Sequence, residues 1–129
     1  MMSEGFCPLV APADAPTYTM HQVTFTGLAA PSRGASESAV WLVTIPPGVE
    51  PTPHSLTREE VFVCLGGRAR ATLRGNDYEL HEGCGFVVPA DTEFTLANPY
   101  GEPFRAVVVL PVGGQARVGE TTFTPPWAE

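Results

Sequence analysis

The stretch GVEPTPHSLTREEVFVCLGG, residues 48–67, decides how the rest of the chain is read. It opens on Gly48, Pro51 and Pro53, turn formers that cannot extend a helix. A run from Glu60 to Leu65 follows and stops at Gly66 and Gly67. Strand alternation puts Glu60, Phe62 and Cys64 on one face of that run. If Glu60 points inward, so does Cys64. His54 and Glu60 are the groups singled out here as able to move a proton or bind an ion.

Outward from this stretch the same pattern recurs. Short β-type runs at 18–26, 39–45, 60–65, 68–74, 78–80, 85–88, 93–96 and 104–110 are separated by turn residues such as PPG (46–48), GND (75–77), PAD (89–91) and NPYGEP (98–103). Regularly spaced short strands with such turns predict an all-β barrel or sandwich. No window carries a helical period. Arg68, Arg70, Thr72 and Arg74 alternate with Ala69, Ala71 and Leu73, a polar row outside and a small apolar row inside. Gly75-Asn76-Asp77 reads as a hairpin tip. Residues 1–16, with Gly5, Pro8, Pro12 and Pro16, read as an extended arm, 17–118 as the barrel, and 119–129 as an extended tail. Trp127 in that tail reads as an anchor pinning it to the barrel surface, with a lid edge over a pocket mouth as the competing reading.

The chain has 129 residues, enough for one domain, and its hydrophobic content of 43% suffices for a core. Gly 13 and Pro 14 together are too many for a helical bundle. Net charge is −7, and every basic residue is Arg. That balance argues against nucleic acid and against an anionic membrane surface as partners. The lack of Lys removes Schiff-base chemistry and a P-loop. Cys7, Cys64 and Cys84 form no CxxC pair and no zinc-finger spacing. The N-terminal residues have no signal-peptide pattern, and no apolar run is long enough for a membrane span. Free thiols then lead to the expectation of a cytoplasmic protein.

Residues 48–67 resemble the first motif of the cupin superfamily, G-x5-H-x-H-x3-E-x6-G, with Gly48, His54, Glu60 and Gly67 in register. The second motif, G-x5-P-x-G-x2-H-x3-N, resembles Gly83, Pro89 and Asn98, with Asp91 in place of the inner Gly. This resemblance implies a small single-domain cupin, a double-stranded β-helix (jelly-roll) barrel. It also implies a metal held by the two His and the Glu of the first motif and the His of the second. Here the second His is Leu56 and the motif-two His is Phe94, so the ligand set is degenerate. One imidazole and one carboxylate leave most positions of a zinc or non-haem iron site to water. No cofactor is therefore expected; any divalent metal would fall to His54 and Glu60.

These residues define a mostly apolar pocket, lined by Trp41, Leu56, Phe62, Cys64, Phe94, Leu96 and Asn98, with a His54–Glu60 pair at its floor. Such a pocket is the default small-molecule site. His54 and Glu60, hydrogen-bonded and sharing a proton, are the expected catalytic groups for proton transfer of an isomerase, cyclase or dehydratase type. Competing readings make His54–Glu60 a structural relic, Cys64 a small core residue and Asn98 a turn satisfier. Two other functions stay open: a metal-dependent dioxygenase or isomerase with an unorthodox extra ligand, and a ligand-sensing module that is not an enzyme. Unpaired strand edges lead to the expectation of a homodimer.

Overall fold

The structure, a computed structural model, describes residues 7–129. Residues 1–6 of the expected arm, Gly5 among them, lie outside the described residues. Alternation builds the frame. β3 (Ser38–Ile45) and β10 (Phe104–Pro111) bury every second residue and pair antiparallel along their whole length. They form the middle of a six-stranded sheet ordered β1 (Thr17–Met20), β2 (Val23–Ala29), β3, β10, β5 (Glu60–Gly66), β8 (Gly85–Val88). A second sheet is ordered β7 (Asn76–Leu80), β6 (Ala69–Leu73), β9 (Phe94–Ala97). A third is ordered β12 (Thr121–Phe123), β11 (Ala116–Val118), β4 (Ser55–Leu56). All pairings are antiparallel. This is the all-β jelly roll that the sequence predicts.

The two motifs meet at one point. His54 and Phe94 form an isolated antiparallel bridge, with His54 N donating to Phe94 O at 3.1 Å and Phe94 N to His54 O at 2.9 Å. The motif glycines Gly48, Gly67 and Gly83 all take positive φ, and the stand-in Asp91 does the same. At Gly67 φ is +72°, and a Cβ there would run into the Pro103 carbonyl. Asp91 keeps the left-handed conformation of the glycine it replaces, with φ 56°. Its N–H donates to Leu56 O, and its carboxylate pairs with Arg117 at 2.8 Å.

Three local expectations shift. The run 18–26 breaks into β1 and β2, because His21 and Gln22 take positive φ (50° and 71°) and fold the chain into a hairpin. The β6–β7 turn is Arg74-Gly75 rather than Gly75-Asn76-Asp77. Both turn residues have positive φ, as the two-residue hairpin requires, and Asn76 already pairs with Leu73. The ends are not simply extended. Pro12–Asp14 form one 3-10 turn, and residues 119–129 contain β12 and a second 3-10 turn at Pro126–Ala128. Trp127 is buried and stacks on Phe25, ring centroids 3.6 Å apart and planes 3° from parallel. Arg33 Nη2 donates to Trp127 O and Ser32 Oγ to Glu129 O, which ties the tail backbone to residues 32–33.

Candidate functional site

All three sheets contribute to one cavity of about 380 Å³. From the large sheet come Val23 and Phe25 of β2, Trp41, Val43 and Ile45 of β3, and Glu60 and Phe62 of β5. Phe94 and Leu96 of β9 line the opposite side, and Leu56, Ala116, Val118 and Phe123 close it from the third sheet. Met20, His21, Glu50 and Thr121 line it too and are exposed, so they mark its mouth.

Among the described residues Glu60 is the only charged-type residue buried in the core, 4% exposed, and its Oε1 has no hydrogen-bond partner. Nothing there stabilises a carboxylate, so burial alone pushes its pKa up from 4.5 to about 8. At neutral pH the group is a carboxylic acid, able to donate a hydrogen bond or a proton.

His54 sits differently from the expectation. No hydrogen bond joins it to Glu60. The Thr52 carbonyl, two residues back, captures its Nδ1 at 2.9 Å. A carbonyl only accepts, so Nδ1 carries the proton and the neutral ring keeps Nε2 bare. Burial lowers the pKa of His54 below 6.5, more than the Thr52 hydrogen bond and Glu93 raise it. The cavity therefore holds a protonated carboxyl and an unprotonated imidazole at pH 7, two groups that burial pushes in opposite directions.

Trp41, Leu56, Phe62, Phe94 and Leu96 line the cavity, as the sequence leads one to expect. Cys64 and Asn98 do not. Cys64 is buried on the same side of β5 as Glu60, but two strand steps carry it past the cavity, where its thiol contacts the carbonyls of Gly66 and Gly67. Burial pushes that thiol up, away from reactive thiolate. Asn98 spends its side chain on the loop backbone: Nδ2 donates to Ile45 O (2.9 Å) and Glu102 O (2.7 Å), and Oδ1 accepts from Tyr100 N. Phe25, Phe123 and Trp127 are wall residues beyond the expected set. A signal for them exists: Thr121, Phe123, Pro125 and Trp127 all line the cavity, a period-2 pattern running through the tail prolines.

The metal question turns on the donors. Leu56 is 2% exposed, and the Phe94 ring lies 4.5 Å from the His54 imidazole, at the place of the fourth cupin ligand. Among the described residues no three His, Cys, Asp or Glu side chains gather as an ion site. Two donors fall short of the set that a zinc or non-haem iron centre uses, so the residues present do not fit a caged ion.

The Cupin domain family matches residues 41–110, more than half of the chain. The chain is a cupin. Its fold is similar to that of the polyketide cyclase RemF from Streptomyces resistomycificus, with TM-score 0.76 and 20% identity over 97% of this chain and 90% of that one. The DMSP lyase DddQ from Ruegeria pomeroyi matches with TM-score 0.72 and 19% identity over 83% of this cupin, which spans 62% of the lyase. A Cupin 2 conserved barrel domain protein from Salinispora arenicola matches with TM-score 0.59 and 18% identity, covering 73% of this chain and 79% of that one. At such identities the likeness establishes the fold. No curated protein matches the chain in sequence. No helix among the described residues is long and apolar enough to cross a membrane.

Proposed function

We propose that this cupin binds a small, largely apolar molecule in its cavity and moves a proton on it without a tightly held metal ion. The observation that carries this reading is Glu60: an unpartnered, buried carboxyl in an apolar cavity, neutral at pH 7. A carboxylic acid of this kind donates to a ligand oxygen, and the bare Nε2 of His54 takes up a proton from carbon. The ligand then passes through an enol, and return of the proton to a different carbon completes an isomerisation. Departure of a β-hydroxyl from the same enol, taking the proton from His54 to leave as water, gives a dehydration; addition of the enol carbon to a second carbonyl of the ligand, whose oxygen takes that proton, gives a cyclisation. Glycosidase-like chemistry finds only the exposed Glu50 at the mouth as a second carboxylate, and phosphoryl chemistry finds no anion clamp in this cavity. A cyclase and a lyase among the fold relatives are in keeping with the reading by analogy.

Deuterium incorporation tests it. The protein is incubated in heavy water with a panel of enolisable ketones, and exchange at carbon is read by mass spectrometry. Wild type exchanges at least one of them, and Glu60→Gln and His54→Ala each slow that exchange by about 10²–10⁴-fold. Exchange that neither substitution slows contradicts the reading. Elemental analysis of protein purified without affinity tag or chelator gives well under one metal per chain. A stoichiometric ion lost in His54→Ala contradicts the metal-free part.

We also propose a homodimer, formed on the outer face of the six-stranded sheet. Val63 pairs with Val107, and Val107 with Leu42, while Val87, Val61, Val109 and Val40 form a second row across four strands. Val63, Leu65 and Val87 are 37%, 42% and 51% exposed. On a chain of net charge −7 these two rows carry no charge, with Arg105 at their edge, which suits a second copy under a two-fold axis.

A further inference from the structure

The cavity wall holds six aromatic side chains, from Phe25, Trp41, Phe62, Phe94, Phe123 and Trp127. None of the seven Arg lines it, and the chain has no Lys. The acidic groups present are Glu50 at the mouth and Glu60 within. An anionic ligand would lose its water and gain no counter-charge, a cost of several kcal/mol for a buried ion. A cation would need ring faces turned towards it. Here Trp127 lies flat on Phe25, so the two spend one face each on the other, and Phe62 meets Phe94 edge to face at 6.0 Å and 69°. Glu60 also has no donor nearby to hold it as the anion that a cation would require.

Size narrows the class further. A cavity of about 150 Å³ lined by apolar side chains holds one benzene ring. About 380 Å³ has room for two or three fused rings. Ring walls favour an aromatic guest over a saturated one by edge-to-face contact, in which wall edges meet the guest's own face. The Glu60 carboxyl, whose buried Oε1 has no partner, wants an oxygen partner, as does the unpartnered indole N–H of Trp127.

We propose that the ligand is an uncharged aromatic molecule of two or three fused rings, bearing a carbonyl or hydroxyl oxygen that hydrogen-bonds to Glu60. This deepens the reading of the cavity given above and rests on its being the working site. It says more than that reading: it excludes carboxylates, phosphates and quaternary ammonium compounds as ligands.

Both tryptophans of the chain, Trp41 and Trp127, line the cavity, so intrinsic fluorescence reports its occupancy directly. Three probes share a naphthalene body and differ in charge: 2-acetylnaphthalene, 2-naphthoate and trimethyl(2-naphthylmethyl)ammonium. Titrated into the wild-type protein at pH 7, the ketone quenches with saturation, and the anion and the cation bind at least tenfold more weakly. Glu60→Leu weakens the ketone about tenfold, the scale of one buried hydrogen bond, and leaves naphthalene itself unchanged. An anion or cation that binds as tightly as the ketone overturns the proposal. So does a ketone that gives no saturable quenching up to its solubility limit. The wild-type series needs no variant to fold. The two readings fail separately. A ketone that binds without deuterium exchange on any substrate removes the proton-transfer reading and leaves the ligand class. Exchange on an aliphatic or charged substrate, with no ketone binding, removes the ligand class alone.

Discussion

At the residue scale, Glu60 gives the fold a pH-dependent stability. Its pKa is 4.5 in the unfolded reference and about 8 in the folded chain, so the folded state holds a proton that the unfolded state releases. The stability tied to that proton is fully present below pH 4.5, declines as pH rises, and is gone above pH 8. The loss is on the order of 5 kcal/mol. Glu60→Gln removes the titration. Urea unfolding at pH 5 gives nearly equal stabilities for the two proteins, and at pH 9 the Gln variant is more stable by several kcal/mol. A wild type as stable at pH 9 as at pH 5 contradicts this. His54 acts at the other end: its pKa is lowered, so its contribution is present above pH 6.5 and lost as pH falls. Which residues matter was readable from the motif spacing, since His54, Glu60, Leu56 and Phe94 all meet at the cavity. Their hydrogen bonds were not. Whether Nδ1 of His54 turns to Glu60 or to Thr52 O depends on a loop conformation that spacing does not encode.

Elements were legible where alternation is strict. β3, β5 and β10 read directly from period-2 burial, and their ends agree within about a residue. The hairpins were less so, because positive φ at His21, Gln22 and Arg74 is adopted by residues that do not advertise it. That gives a prediction. Arg74 pays a left-handed penalty, so Arg74→Asn raises stability by about 0.5–1 kcal/mol, read as a higher urea midpoint at unchanged slope. No gain would place the cost elsewhere in the turn. The C-terminal segment also belongs to the wall rather than to the outside. Trp127 stacks on Phe25 and bounds the cavity, so Trp127→Ala costs about 3–5 kcal/mol and opens the wall. A tail that merely touched the surface would lose under 1 kcal/mol.

For the whole molecule, the barrel class followed from turn spacing and composition, and the charge balance bounded the partners. The apolar outer face did not stand out, because Val63, Val87, Val107 and Val109 are adjacent only through strand pairing. Light scattering at micromolar concentration should give twice the 13.7 kDa chain mass for wild type and the chain mass for Val63→Lys/Val87→Lys, with far-UV circular dichroism unchanged. A wild-type monomer contradicts the dimer. The cavity chemistry and the stability profile both depend on a barrel interior that keeps its one carboxyl neutral. The direct measurement is NMR of the glutamate side-chain carboxyl carbons across pH, with Glu60→Gln supplying the assignment. The Glu60 signal stays at its protonated position through neutral pH and titrates near pH 8. Titration at the ordinary glutamate value of about 4.3 would contradict a dry, unpartnered carboxyl and the chemistry built on it.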